Sequence, residues 1–453
     1  MIKKSENHDT NYLATVVEID NLKNHPNAER LEIFEIYGGN VIVAKGQYPI
    51  GSKVVYFPIE TKISGEFLHW ANLFDKPEMN ADGKTKGFFS TKQQRVRPIK
   101  LREIPSEGFV YPVDKLSEFF GVSTNVFNVG ESFDMVGDKV LLEKWVSGEK
   151  PVQNSAKKVV LPKWLQILPK PVRKFIGQRF YSKKDDGIGS QIVKGQFQFH
   201  YSTPQLGKSM FLIDPEDDIT ISDKWHGISA VFSRVLCHQQ RNWLQKLLGV
   251  SNDRLAKEYR NIYSSRSVIK NRRDGQYTDD LWGKWARELF ENCSLKDGVS
   301  IYGEIVGYVN HSKMVQKGYD YSCKPDENKL YVYRITHTDD NGNVHEYSFN
   351  EIRDYCDFQD LETVPIFYQG KAKDLFSNIA IDDEWRKNFL HSLSEKYLEK
   401  NCQFCKTKVP AEGIVLRIES KDNKPALKLK SFRFKEKESK ERDSGESNIE
   451  EES

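Results

Sequence analysis

From Tyr12 to about Val113 the chain is cut into short apolar runs separated by turn residues, a pattern that reads as mostly β and leaves room for short strands. Leu13 to Ile19 and Leu31 to Tyr37 read as strands, Gly38-Gly39-Asn40 as a hairpin turn, and Val41 to Ala44 as the returning strand. Lys53 to Pro58 supplies a fourth strand. After an irregular stretch rich in glycine and lysine, Ile99 to Arg102 and Gly108 to Pro112 read as a closing pair.

Five short strands in about a hundred residues fit a small closed barrel of the OB type, a fold that often carries oligonucleotides. The segment His25-Pro26-Asn27-Ala28-Glu29-Arg30-Leu31 resembles the strand-to-strand segment of tRNA-binding OB domains found beside some tRNA synthetases. Such a domain serves either as a nucleic-acid platform or as a structural neighbour. At 453 residues the chain has room for further domains. A basic linker is expected over 151–190, because Pro151 to Lys184 holds nine Lys or Arg and no Asp or Glu. Its two readings are a track for a phosphate backbone and a solvated linker with one apolar side.

Composition narrows the class. No apolar run approaches the ~18 residues that span a bilayer, and Met1 to Asn7 lacks the apolar segment of a signal peptide, so no membrane partner and a cytoplasmic location are expected. Six scattered cysteines argue against a disulfide framework. Cys402-Gln403-Phe404-Cys405 is a lone CxxC, for which free thiols fit better than a zinc site. The net charge of +3 conceals an acidic end: the last 19 residues carry eight acids and four bases, and the region 435–453 is expected to be a disordered charged tail.

Beyond Gln191 strands alternate with amphipathic helices, expected over Asn242 to Arg260, Asp279 to Cys293 and Glu384 to Tyr397. Asp223-Lys224-Trp225-His226-Gly227 stands between the runs Ile219 to Ser222 and Ile228 to Phe232. It places an amine at a strand end with a glycine three residues on, where backbone approaches a ligand closely. That pattern alone is a weak signal. Downstream follow Ser265-Arg266, then Tyr302-Gly303-Glu304, then Glu412-Gly413-Ile414-Val415, then Lys428-Leu429-Lys430, whose period of two sends both lysines to one face. An amine, an arginine, two strand-borne carboxylates and paired lysines are what lysine attack on a phosphorus requires. The chain has no P-loop and no convincing Ser-His-Asp pattern.

In that order these motifs resemble the covalent nucleotidyltransferase superfamily of ATP-dependent RNA and DNA ligases and mRNA capping enzymes. His226 is similar to the residue found in nick-sealing and RNA-editing ligases, where DNA ligases usually show Asp. An OB-like domain placed first, with Leu101-Arg102 and Glu107-Gly108-Phe109 near its end, resembles the Deinococcus-type RNA ligases.

The resemblance implies an α+β fold, with an N-terminal OB-type β-barrel over 1–150 and a nucleotidyltransferase domain of antiparallel sheets flanked by helices over 191–434. It implies an ATP-dependent RNA ligase that joins a 3′-OH end to a 5′-phosphate end at duplex nicks, through lysyl-AMP and an adenylylated 5′ end, with Mg²⁺ or Mn²⁺. Lys224 would be the nucleophile, Glu412 a metal ligand, and Lys428 and Lys430 the grip on the α-phosphate. Asp223, standing where the family usually has Glu, would contact adenosine; Arg266 would bind ribose or the RNA 3′ end, Glu304 the ribose hydroxyls, and Tyr333 would stack on adenine. Arg334 replaces the Asp that relatives often carry next to that aromatic. The alternatives are a GTP-using capping-type transferase, a DNA ligase, and a non-catalytic RNA-binding protein; no protein partner follows from the sequence.

Overall fold

The computed structural model describes residues 1–6, 8–146, 187–240, 245, 250–293 and 295–444. Most of the basic stretch expected as a linker lies outside these residues, as do residues 445–453.

In the N-terminal part, strands β1 (Ala14–Glu18), β2 (Leu31–Ile36), β3 (Gly39–Ala44), β4 (Lys53–Pro58) and β5 (Gly108–Pro112) fall where the short apolar runs put them, followed by helix α1 (Val113–Phe120). β5, β4 and β1 form a sheet with Ser132–Phe133 at its edge, and β2 and β3 pair as a hairpin with Lys23–Asn24 alongside. The turn sits one residue earlier than its glycines suggest: Tyr37 and Gly38 take positive φ, and Gly39 and Asn40 already belong to the strand. The expected closing pair is also different. Ile99–Leu101 pairs with Ile104–Ser106 around a turn at Arg102 and Glu103, while β5 pairs with β4. Val16, Val55, Phe57, Phe67, Leu116 and Phe133 fill the core between these elements. His25 is buried in this region and its Nδ1 accepts from Asn27 N–H, so its Nε2 donates to the Leu101 carbonyl at 3.0 Å. The His-Pro-Asn segment therefore ties two turns together.

The remaining strands are β6 (Asp218–Lys224), β7 (Ile228–His238), β8 (Lys257–Ser264), β9 (Val299–Asn310), β10 (Asn328–Thr338), β11 (Ile366–Lys371), β12 (Gly413–Ile418) and β13 (Ala426–Lys430). Helices α2 (Leu281–Asn292), α3 (Phe349–Gln359), α4 (Trp385–Tyr397) and α5 (Phe432–Asp443) accompany them. The helix expected over Asn242 to Arg260 is replaced at its C-terminal end by the turn Asn252–Arg254 and the first residues of β8. Tyr259 and its neighbours there satisfy their backbone by pairing with β7, which overrides the helical spacing of the apolar residues.

The chain groups into two compact units. One gathers Met1–Ser147, Ser202–Trp225 and Pro365–Ser447; the other gathers Gly148–Tyr201, His226–Val364 and Asn448–Ser453. The expected linear division at 190 does not describe this grouping, because β6 and β11 to β13 cluster with the N-terminal strands. Their sheet runs β11–β6–β12–β13 and packs Ile219, Ile221, Ile414 and Leu429 on Trp385, Phe389 and Leu393 of α4. In the other unit the sheet order is β8–β7–β9–β10, with Ile228, Phe232 and Ile305 packed on Trp282 and Leu289 of α2. Among the described residues no helix is long and apolar enough to cross a membrane.

The end of the chain departs most from expectation. Residues 435–443, expected in a disordered tail, continue a helix capped by Ser431, whose hydroxyl accepts from Phe434 N–H at 3.1 Å. Phe432 and Phe434 bury its first turn. Its charges are paired: Lys437 with Glu441 and Lys440 with Glu436 at i,i+4, and Lys435 with Glu107 at 2.6 Å.

Candidate active site

In the first unit β6 is a central strand, and its register sets the chemistry. Lys224 lies opposite Gly413 on β12, and Gly413 lies opposite Lys430 on β13, so the two lysines share one face with a glycine between them. Gly413 has φ 141° and a Cβ there would stand 2.0 Å from the Leu429 carbonyl oxygen, which only glycine avoids. Glu412 is buried one residue before β12. Its Oε1 lies 2.8 Å from Nζ of Lys224 and 2.8 Å from Nζ of Lys430. Burial opposes the charge on Lys430, but the carboxylates of Glu412 and Glu438 outweigh it and hold the ammonium above the usual lysine range. Lys428, opposite Val415, follows the same strand parity as Lys430.

Asp223 alternates to the other face, that of Ile219 and Ile221. Its Oδ2 accepts from Trp225 Nε1 at 3.0 Å, and the Trp225 ring meets Phe404 at 5.3 Å. Burial pushes the Asp223 carboxyl up to about 7, the Trp225 hydrogen bond opposes the rise, and Glu412 adds to it. A raised carboxyl pKa means the folded state binds the proton more tightly, so stability is full below the unfolded value near ~3.9 and is lost as pH climbs through about 7. Asp223→Asn removes that slope. Relative to the unsubstituted protein, it should gain about 2–3 kcal/mol between pH 5 and pH 8, checked by urea unfolding at both pH values. The free thiol of Cys402 accepts a hydrogen bond from Cys405, which places its pKa below the ordinary thiol value. Among the described residues no cluster of three or more His, Cys, Asp or Glu side chains suits a metal.

The second unit carries Glu304 on β9, opposite Ser229 on β7. Glu304 Oε1 accepts from Gly227 N–H at 2.9 Å and its Oε2 from the Ser229 hydroxyl at 3.4 Å. Gly227 is needed for close approach: a Cβ would lie 2.3 Å from the Ile305 carbonyl oxygen. Gly227→Ala should therefore cost about 1–3 kcal/mol of stability, measured as a lower denaturation midpoint. The Gly227 carbonyl accepts from Gln316 Nε2 at 2.7 Å, and His226 N–H donates to the Tyr321 hydroxyl at 2.6 Å. The His226 ring stands edge-on to Tyr319 at 5.1 Å.

Tyr333 is the extra residue of a bulge, since Tyr302 pairs with Arg334 and Gly303 with Val332; bulges re-aim side chains in this way. Its hydroxyl meets His200 Nδ1 at 2.9 Å. Arg334 forks onto Glu346, with contacts of 2.8, 3.1 and 2.8 Å, and stacks over Tyr302 at 4.4 Å, which gives the departure from the expected Asp a structural partner. Arg266 lies half-buried two residues beyond β8. Sequence reasoning singled out neither Ser229 nor Gln316, Tyr321, His200 or Glu438. Of these only Glu438 left a trace, its i,i+4 spacing to Arg442.

A family model described as RNA ligase matches residues 217–435, and an OB-fold domain model matches residues 13–113. The span matched by the RNA ligase model is just under half of the chain. The N-terminal OB-fold domain is followed by a sheet-rich region with flanking helices, as the α+β expectation held. The matched span takes in Lys224, Arg266, Glu304, Tyr333, Glu412, Lys428 and Lys430, and with them Asp223. Among solved structures the chain is similar to an RNA ligase mutant of Naegleria gruberi with AMP and Mn, at 15% identity and a TM-score of 0.57, covering 94% of this chain and 98% of that one. A further mutant of that ligase, with ATP and Mn, matches at 15% identity and a TM-score of 0.56, with the same coverage. The same organism's RNA ligase with PPi matches at 16% identity and 0.52, again covering 94% and 98%. At these identities the likeness concerns the fold. No curated protein matches the sequence.

Proposed function

We propose that the chain is an ATP-dependent RNA ligase that joins a 3′-hydroxyl RNA end to a 5′-phosphate end at duplex nicks, in the manner of the Deinococcus-type enzymes. The row Lys224, Gly413, Lys430 with Glu412 beneath both lysines carries this reading.

The Lys224 nitrogen forms a bond to the α-phosphorus as the bond to the bridging oxygen breaks; pyrophosphate leaves and the amine gives up a proton. Lys430 and Lys428 face the same side as Lys224 and hold the α-phosphate oxygens as charge builds there. AMP then passes to a 5′-phosphate, and attack by a 3′-hydroxyl forms the phosphodiester and frees AMP. Glu304, fixed by Gly227 and Ser229, takes the ribose hydroxyls; Arg266 takes ribose or the RNA 3′ end; Tyr333, re-aimed by its bulge, stacks on adenine; Asp223 supports the adenosine side from the neighbouring strand position. Glu412 fits a hard divalent cation: a buried carboxylate beside the phosphate-binding lysines is the oxygen donor that Mg²⁺ or Mn²⁺ takes together with phosphates. The ion, when bound, supplies positive charge to the phosphates. The OB-fold domain offers the nucleic-acid platform.

The test is sealing of a nicked duplex with each strand supplied as RNA or DNA, with ATP or GTP. Sealing with ATP that requires RNA on the 3′-hydroxyl side is expected. Sealing that proceeds equally with DNA there would make the chain a DNA ligase, and use of GTP alone a capping-type transferase.

A further inference from the structure

Lys430 touches a second carboxylate besides Glu412. Its Nζ lies 3.7 Å from Glu438 Oε2 on α5 and 4.9 Å from the centre of the Phe434 ring. Glu438 is gripped in turn by Arg442, at 3.2 Å, and the other arm of Arg442 reaches Glu60 at 2.8 Å. Glu60 follows β4 in the N-terminal domain, where Arg95 approaches the same carboxylate oxygen at 3.4 Å and then meets Asp443 of α5 at 2.8 Å. Charges alternate in sign along the whole path, from Lys224 through Glu412, Lys430, Glu438, Arg442, Glu60 and Arg95 to Asp443. All of it lies within one compact unit.

Two features mark this as a fixed device. The Arg95 side chain is fully buried, with its guanidinium 4.0 Å above the Trp145 ring, and a buried charge network of this kind favours one register of the parts it joins. Glu60 stands in the turn after β4 with a left-handed φ of 63°, and it is buried with its carboxylate against both guanidinium groups. That backbone aims the carboxylate at Arg95 and Arg442.

We propose that Glu438 is a positioning residue for Lys430 in the nucleotide step, itself held in place by Arg442 and Glu60. The inference rests on the reading of Lys224 and Lys430 given above. A carboxylate on the far side of Lys430 fixes where its ammonium stands when ATP draws Glu412 and Lys224 into other contacts. α5 carries that carboxylate, and Glu60 and Arg95 hold α5.

The experiment is single-turnover labelling of the full chain, freed of bound AMP with pyrophosphate, by α-labelled ATP and Mn²⁺. It follows both rate constant and final amplitude across ATP concentrations for Glu438→Gln, Glu60→Gln, Arg442→Lys and Arg442→Met, with thermal unfolding of each. Loss of a contact made in the transition state lowers the rate constant at saturating ATP, so Glu438→Gln is expected to fall about tenfold with its amplitude and half-saturating ATP concentration little changed. Glu60→Gln should fall in the same direction, the double variant should lose less than the product of the two, and Arg442→Lys should retain more of the rate than Arg442→Met. An unchanged rate constant in Glu438→Gln, or lower amplitude and stability at an unchanged rate constant, overturns the positioning role. An unchanged rate in Glu60→Gln overturns the part given to Glu60. Absence of label in the unsubstituted protein would instead strike at the proposed function itself.

Discussion

Lys224→Ala is expected to abolish covalent labelling by α-labelled ATP, a loss of about 10⁴-fold or more, the scale reached when an enzyme loses its nucleophile. Label stable to denaturation in the unsubstituted protein and missing from the variant is the result that checks it. Lys224→Arg should fail as well, because a guanidinium stays protonated and offers no lone pair for attack on phosphorus. The variants should remain folded: Glu412 keeps its 2.8 Å contact with Lys430, so removing one ammonium does not strand the buried carboxylate. A sharper consequence separates chemistry from binding. Lys224 is needed to load AMP, and a 5′ end that already carries AMP bypasses that need, so Lys224→Ala should still join a pre-adenylylated nick. Full labelling of the alanine variant would remove Lys224 from its assigned role and leave the proposed reaction without a nucleophile.

Glu412→Gln should have the second largest effect, and on two properties at once. Glu412 is buried and its Oε1 serves both lysines. Breaking a fully buried ion pair from one side costs about 3–5 kcal/mol, and less is expected here because Lys430 keeps Glu438 and Lys224 is partly exposed. Here two ammonium groups would face each other across Gly413, and the largest influence holding Lys430 above the ordinary lysine range would disappear. A clear drop in the urea midpoint is expected. The rate of lysyl-AMP formation, measured at low temperature where the variant is still folded, should fall by about 10² to 10³ through loss of phosphate and cation positioning. Stability unchanged within ~0.5 kcal/mol would show that the lysines find other partners, against the geometry described.

Much of the fold was legible because strands announce themselves locally. Ala14–Glu18, Leu31–Ile36 and Lys53–Pro58 are short runs rich in β-branched and aromatic residues, and their boundaries agree with expectation to within a residue or so. Helices α2 and α4 were legible for the same reason, since Leu281, Trp282 and Leu289, or Trp385, Phe389 and Leu393, repeat at helical spacing. Pairing was less accessible. Nothing local told Gly108–Pro112 to pair with β4 and leave Ile99–Leu101 to a hairpin of its own, because partner choice rests on the sum of distant contacts.

The sequence by itself determined which residue types bear the chemistry and in what order they occur: a lysine ahead of a glycine, two Glu-bearing strands, and a final Lys-Leu-Lys. Those are properties of residue identity and spacing, which survive without a fold. The tertiary structure decided three further matters. Register set Lys224, Gly413 and Lys430 in one row and turned Asp223 to the other face, because neighbouring strands fix both the partner and the side of every residue. The close approach of backbone at Gly227 and Gly413 gave each glycine its reason. Residues 435–443 of the charged stretch became helical and packed, because Glu60, Arg95 and Glu107, more than three hundred residues away in sequence, supply their partners.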